Sequence, residues 1–444
     1  MQPDNNELDE MSEKLRKAVV STLNLDEKEK VFVGNEEKMF LYGLFQHMPS
    51  SSHKTTVKIQ NYKELTYHRM MDMWSGEIAK RPEIKKNQPL SEKPRHLIIT
   101  IRGLLIKIKH LVFLKSKLLH ANTMIHYAAH LRYGSFVIPE LTSLYFKHKE
   151  RKDKNLRKAF SVNLTGVGFD PILVEYLTSL FPTSHLESYL KLSAHSIANI
   201  KMDTVVTSLS GVLDDPLLSF LIKNNNSKLI YVQHGGGYGL NKNHLGHQIE
   251  DSGADIMYYW GTGDNNVYPT RYRNKYFSKI SRRVVIVLSD KKDENTIKPY
   301  TQLAEMVTNE WQIPCVVVAH PNGPRFTCKN IQYGIGYKQH EKAQLVIYDN
   351  ISQSLIYPRI LSRRPFLILD SGVNKLQLQS DNACKFISLL REAEILIPPS
   401  KLEQKINYWM QFSPREIQHK FNKIAFFVFG HVLNQPKIQD IFDI

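Results

Sequence analysis

From residue 284 to 397 short aliphatic runs alternate with amphipathic stretches, and that alternation most narrows what the chain can fold into. The runs lie at 284–288 (VVIVL), 315–319 (CVVVA), 345–348 (LVIY), 366–369 (FLIL) and 395–397 (ILI). Between them, 297–311, 352–361 and 380–392 carry apolar residues at helical spacing. A helix between two strands returns the chain to the end of the sheet it started from. Neighbouring strands then run parallel, with helices covering both faces.

A second series of the same kind precedes the first. A run with Thr and Val at 203–209 (DTVVTSL) leads to a helix-like 214–224 (DDPLLSFLIKN), a strand at 228–233 (KLIYVQ) and another at 255–260 (DIMYYW). Residues 262–275 (TGDNNVYPTRYRNK) are polar and turn-rich, which predicts a hinge and a boundary near Lys279. Nearer the start, 30–33 (KVFV) offers a short strand, and 50–93 reads as an insertion or loose connection. The tail, 401–433, reads as two helices parted near Ser413 and Pro414. The expected fold is therefore α/β, with two doubly wound Rossmann-like domains and C-terminal helices. Their bounds are 1–279, 280–400 and 401–444. A pair of such domains facing one another would put their strand ends on a common interdomain cleft.

Composition supports this and narrows the partners. A chain of 444 residues, 42% hydrophobic, can bury two cores. Its formal charge of +16 favours anionic company: phosphorylated substrates, anionic lipid or nucleic acid. No RRM, KH, zinc-finger or helix-turn-helix pattern accompanies that charge, so no nucleic-acid partner is expected; a basic nucleic-acid-binding protein remains the alternative from another class. The densest basic run, 147–158 (KHKERKDKNLRK), reads as a solvated helix face, or else as a patch for peripheral contact with an anionic membrane. Three cysteines without paired spacing, and a polar N-terminus without an apolar leader, fit a cytoplasmic protein.

Chemistry concentrates after the strand at 228–233. Gln233 and His234 lead into Gly235, Gly236, Gly237, Tyr238 and Gly239. A histidine delivered by a rigid strand can act as a general base near neutral pH, and a backbone with little side-chain bulk admits a polar ligand closely. The glycines do not form the dinucleotide fingerprint, so no nicotinamide cofactor is expected. His244 and His247 lack the third ligand that zinc chemistry needs, and no metal is expected. Glu250 reads as a second acid or base beside His234, or as a solvated surface carboxylate.

In the second series, the strand at 315–319 ends in His320, Pro321 and Asn322, and the one at 345–348 ends in Asp349. Asn350, Ser352 and Ser354 then open the expected helix, whose hydroxyls and amides would seat a phosphate.

The segment 233–239 (QHGGGYG), with Glu250 and 255–261 (DIMYYWG), resembles the signature of bacterial surface-carbohydrate transferases. The likeness extends to 30–35 (KVFVGN), 130–141 (HLRYGSFVIPEL), 364–371 (RPFLILDS), 389–400 (LLREAEILIPPS) and 405–409 (KINYW). That family is related to capsule Kdo transferases, bacterial sialyltransferases and CDP-glycerol glycerophosphotransferases, all of the two-domain GT-B architecture. The resemblance implies a glycosyltransferase with no cofactor besides its nucleotide-activated donor, a CMP-sugar or CDP-polyol. The acceptor it implies is a surface-polysaccharide or lipid-linked glycan at the inner face of the membrane. His320 and Pro321 match an HP pair that meets donor phosphate, Ser352 and Ser354 a serine-rich helix start with the same task, and His234 a base or acceptor-site residue. Gln353 stands where the family has threonine, and Tyr357 where it often has an acidic residue that holds a ribose. Those two departures raise a second expectation, a GT-B scaffold that has lost turnover.

Overall fold

The computed structural model describes residues 4–47, 152–195, 198, 203–207, 216–233, 235–241, 244–269, 280–288, 294–319, 340, 342–370 and 380–437, together with short strands at 118–120, 136–137 and 331–333. The chain forms two compact units. One comprises residues 1–231, 248–256 and 444, the other 232–247 and 257–443.

The first sheet comprises β1 (Leu118–His120), β2 (Phe136–Val137), β3 (Thr204–Thr207), β4 (Lys228–Val232) and β5 (Ile256–Tyr258), ordered β2-β1-β3-β4-β5. β1 runs parallel to β2 and β3, and β3 parallel to β4. Helix α1 (Asn5–Leu23) starts at a capping box: Asp4 accepts from the Glu7 amide, and the Glu7 carboxylate accepts from the Asp4 amide, each at 2.9 Å. Its Leu8, Leu15, Ala18 and Val19 are fully buried, which is the helical stripe that holds it to the core.

The strand expected at 30–33 does not form, although Val31, Phe32 and Val33 are buried. The Val33 amide donates to the Glu36 carboxylate at 2.9 Å, and Gly34 takes a left-handed φ of 59°, so the chain turns into α2 (Glu36–His47) instead of pairing. Beside Glu36, burial raises the Glu37 carboxyl from 4.5 to about 7, with the Glu36 charge adding to the shift.

The basic run at 147–158 is described from residue 152 onward, where it enters α3 (Lys154–Gly166). This is not a uniformly solvated face. Arg157 turns inward, 6% exposed, and forms a two-pronged ion pair with Glu187 at 2.6 and 2.7 Å. Helices α4 (Pro171–Leu180), α5 (Tyr189–Ser193), α6 (Pro216–Asn225) and α7 (Leu245–Gly253) complete the described helices of this part of the chain.

In the second unit, β6 (Ser281–Val287), β7 (Cys315–Ala319), β8 (Ile331–Tyr333), β9 (Ala343–Tyr348), β10 (Phe366–Leu369) and β11 (Leu396–Ile397) form a sheet ordered β11-β10-β9-β6-β7-β8. Every described pairing in it is parallel, as the alternation of strands and helices requires. β8 is an addition that the sequence did not suggest. All six residues of the central strand β9 are buried, and full burial of a Val, Leu or Ile side chain is worth about 1.5–3 kcal/mol. Helices α8 (Glu294–Asn309), α9 (Ile356–Leu361) and α10 (Asp381–Glu392) lie between the strands in sequence.

The tail forms three helices where two were expected: α11 (Leu402–Met410), α12 (Pro414–Ile424) and α13 (Phe426–Leu433). Ser413 caps α12 by accepting from the Glu416 amide, and the additional break falls at Ala425. Phe421 fixes the tail to the sheet, 5.6 Å from Phe366 and 5.8 Å from Trp409 between ring centroids. Among the described residues, no helix is long and apolar enough to cross a membrane. The α/β class, with two parallel sheets, is as expected.

Candidate functional site

Counted from β6, the second sheet has the order 6-5-4-1-2-3, a doubly wound arrangement whose growth reverses between β6 and β9. Ligands of such sheets bind beyond the carboxyl ends of the strands at that reversal. Here those ends are tied together. The Val287 carbonyl, ending β6, accepts from the Asp349 amide at 3.2 Å and from Gln353 Nε2 at 2.8 Å. Gln353 Nε2 also donates to Asp349 Oδ1 at 2.5 Å, and both side chains are buried. Gln353 thus holds the aspartate in position.

The next residues form turns, where the sequence predicted a helix from Ser352. α9 begins only at Ile356 and is six residues long. The reason is local: Asn350 Oδ1 accepts from the Ser352 amide at 2.8 Å, and Gln353 points inward to β6. The expected seat of free helix amides is absent there. Ser352 remains exposed and Ser354 half-buried, so what the turn offers a ligand is hydroxyls.

The glycine loop meets this turn. Gln233, 1% exposed, sets the loop's path: its amide donates to the Tyr258 carbonyl at 2.9 Å, its Nε2 to the Gly235 carbonyl at 2.5 Å, and its Oε1 accepts from the Trp260 amide at 2.8 Å. A Cβ at Gly236 would lie 2.3 Å from the Ser352 carbonyl oxygen and 2.4 Å from the Ser354 nitrogen, so the two backbones touch and only glycine fits. Gly239 has a φ of 73°, and a Cβ there would lie 2.7 Å from the Thr262 carbonyl oxygen. Thr262 Oγ1 also donates to the Tyr238 carbonyl at 2.8 Å. Gly235, Gly236, Gly237, Tyr238 and Gly239 are therefore brought together with Ser352, Ser354 and Asp349 within one compact unit.

Two histidines weighed only as metal ligands join this loop. The His247 ring is stacked between Tyr238 and His244, with centroids 4.0 and 3.8 Å apart, and its Cε1 would lie 3.2 Å from a Cβ on Gly237. His244 Nδ1 accepts from the His247 amide at 3.3 Å, and desolvation in the stack holds the His244 imidazole below the ordinary histidine value. The signal was present in the sequence, as an aromatic residue and two histidines within ten positions of a glycine loop.

Other expected residues stand elsewhere. Glu250 belongs to the first unit, on α7, and at 4% exposure is no solvated surface carboxylate. Burial, followed by the charges of Glu36 and Glu250, pushes the Tyr231 phenol well above its ordinary value. Tyr357 is buried against Trp260, where it makes a packing contact. His234, His320, Pro321 and Asn322 lie outside the described residues.

Comparison with known proteins gives a family for most of this chain. A family model described as LIC12162 family transferase matches residues 31–292. Among solved structures, the chain is similar to the glycotransferase of kitacinnamycin, with a TM-score of 0.34 and 9% identity over 71% of this chain and 94% of that one. It is also similar to the spinosyn forosaminyltransferase SpnP, with a TM-score of 0.36 and 11% identity over 74% of this chain and 98% of that one. No curated protein sequence matches the chain significantly.

Proposed function

The chain belongs to the LIC12162 family of transferases, and from the resemblance of its motifs to surface-carbohydrate transferases we propose that it moves a sugar, or a polyol phosphate, from a nucleotide-activated donor to a surface-polysaccharide or lipid-linked glycan acceptor. The observation that carries this reading is the close approach of Gly236 to the 352–354 turn at the switch point of the second sheet. It sets a nearly side-chain-free backbone beside the exposed Ser352 and half-buried Ser354 hydroxyls, where doubly wound sheets bind phosphorylated ligands.

On this reading the Ser352 and Ser354 hydroxyls donate to the donor's phosphate, and the resemblance adds His320, with Pro321 and Asn322 beside it. Hydrogen bonds that strengthen as the nucleotide leaves stabilise its growing negative charge. His234 takes the proton of the acceptor hydroxyl as its oxygen bonds to the transferred group, while the bond from that group to the nucleotide phosphate breaks. Asp349 acts one step removed, fixing the turn through Gln353. Glu250 remains a candidate second acid or base, from its place in the sequence shortly after His234. The same resemblance favours a cytidine nucleotide and an enzyme at the cytoplasmic face of the membrane.

Thermal-shift titration with CMP, CDP, UDP and GDP tests the donor class. A rise in melting temperature with cytidine nucleotides is expected, and no response to them overturns the assignment. His234→Ala should lower turnover far more than donor binding. Equal loss of both removes His234 from the role of base.

A further inference from the structure

The tail carries apolar side chains that its fold leaves in water. Ile424 is 40% exposed, Phe426 65% and Phe427 70%, and the two phenylalanine rings meet edge to face with centroids 5.5 Å apart. The helices that bear them are already anchored from the other side. Ile417 and Phe421 of α12, and Val428, Phe429 and Val432 of α13, are buried, with Phe421 6.1 Å from Phe429. The outward rings therefore add nothing to the core. Each forgoes roughly 1.5–3 kcal/mol that burial would supply, and an apolar cluster of this kind marks a surface that something covers.

The charges beside it select the occupant. Lys420 and Lys423 are exposed, and Lys420 stands one turn before Ile424 on the same side of α12. The Lys420 ammonium lies 4.4 Å from the Phe412 ring, and Tyr408, 46% exposed, packs 5.4 Å from that ring, which extends the aromatic and basic strip. On α12 and α13 the one acidic residue is Glu416, in the cap of α12 and one turn before Lys420; residues 417–437 hold no aspartate or glutamate. A second copy of a chain with formal charge +16 would bring like charge to this face. Residues 48–117, as a cover from the same chain, hold far more lysine and arginine than aspartate and glutamate. An anionic bilayer suits both features, since its headgroup phosphates attract lysines and its interfacial zone accepts phenyl rings.

We infer that α12 and α13 form a docking face for anionic lipid, with Phe426 and Phe427 inserted at the interface and Lys420 and Lys423 set against headgroup phosphate. The lysine stems lie along the apolar surface while their ammonium groups reach the phosphates. Salt weakens the attachment through screening.

Flotation of the full chain with lipid vesicles tests this. The protein should float with phosphatidylcholine vesicles containing about 30% phosphatidylglycerol and stay behind with phosphatidylcholine alone. The double substitutions Phe426→Ser with Phe427→Ser, and Lys420→Glu with Lys423→Glu, should each weaken binding by about tenfold or more. Because these positions face outward, melting temperature and the response to cytidine nucleotides should not change, which separates failure here from failure of the donor assignment. Absence of binding to the anionic vesicles overturns the inference, and so does undiminished binding by both variants. A wild-type dimer in light scattering that Phe426→Ser with Phe427→Ser turns into monomer also overturns it, by making a second copy the occupant.

Discussion

The Tyr357 ring stands edge-on to the Trp260 indole, with centroids 4.9 Å apart and planes at 72°. Trp260 also donates its amide to the Gln233 side chain, so one residue braces both the start of the glycine loop and the helix that follows the serine turn. Replacing Tyr357 with an acidic residue would set an unpaired carboxylate against an indole. Tyr357→Glu is expected to cost several kcal/mol, read as a large fall in melting temperature and soluble yield, whereas Tyr357→Phe keeps the ring contact and should cost about 1.5 kcal/mol or less.

The glycines of the loop should not be equivalent. At Gly235 an added Cβ would lie 3.3 Å from the edge of the Tyr238 ring, which can shift, but at Gly236 it would strike backbone at 2.3 Å. Gly236→Ala is expected to lower stability by about 1–3 kcal/mol and to abolish nucleotide binding, with Gly235→Ala near wild type in both. Melting curves with and without CMP compare the two variants directly.

Placing a threonine at Gln353 should harm the protein. Thr lacks the reach to bond the Val287 carbonyl and Asp349 together, and the buried Asp349 carboxylate loses the Gln353 hydrogen bond. Gln353→Thr is expected to cost about 1–3 kcal/mol in urea unfolding. Higher stability for this variant would mean that the glutamine is not the brace that the geometry describes.

Stability should also depend on pH through Glu37. Its carboxyl is raised from 4.5 to about 7 in the folded state, so between those values the folded protein holds a proton that the unfolded chain releases. Stability therefore falls as the pH rises through this window and stays lower above it, by roughly 3 kcal/mol. Glu37→Gln should remove that decline, as calorimetric melts at pH about 5 and about 8 would show.

The parallel sheet of the second half was legible because its strands are aliphatic runs bounded by turn residues, and burial on both faces selects such runs. The strands at Cys315–Ala319 and Phe366–Leu369 have the expected bounds. Elsewhere, local pattern competed with contacts that are distant in sequence. Ser352 looks like a helix cap, but the inward bond of Gln353 reaches 66 residues back to Val287. The run at 30–33 looks like a strand, but Gly34 and the Glu36 carboxylate turn it away from pairing. The break at Ala425 has neither proline nor glycine to announce it. For the site, the loop and the serine turn were each readable alone. That Gly236 touches the turn depends on how the second unit folds, for which no spacing in the sequence gives a sign.

Neither compact unit is a continuous length of chain, because residues 232–247 go to the second and 248–256 return to the first. A single crossover between two related genes cannot exchange one whole unit for another: a junction near Lys279 would separate the glycine loop of one parent from the serine turn of the other. The loop and the turn must therefore be inherited as a matched pair. On the proposed function, new donor preferences in this lineage are expected to arise by paired substitutions across that contact, and not by the shuffling of domains.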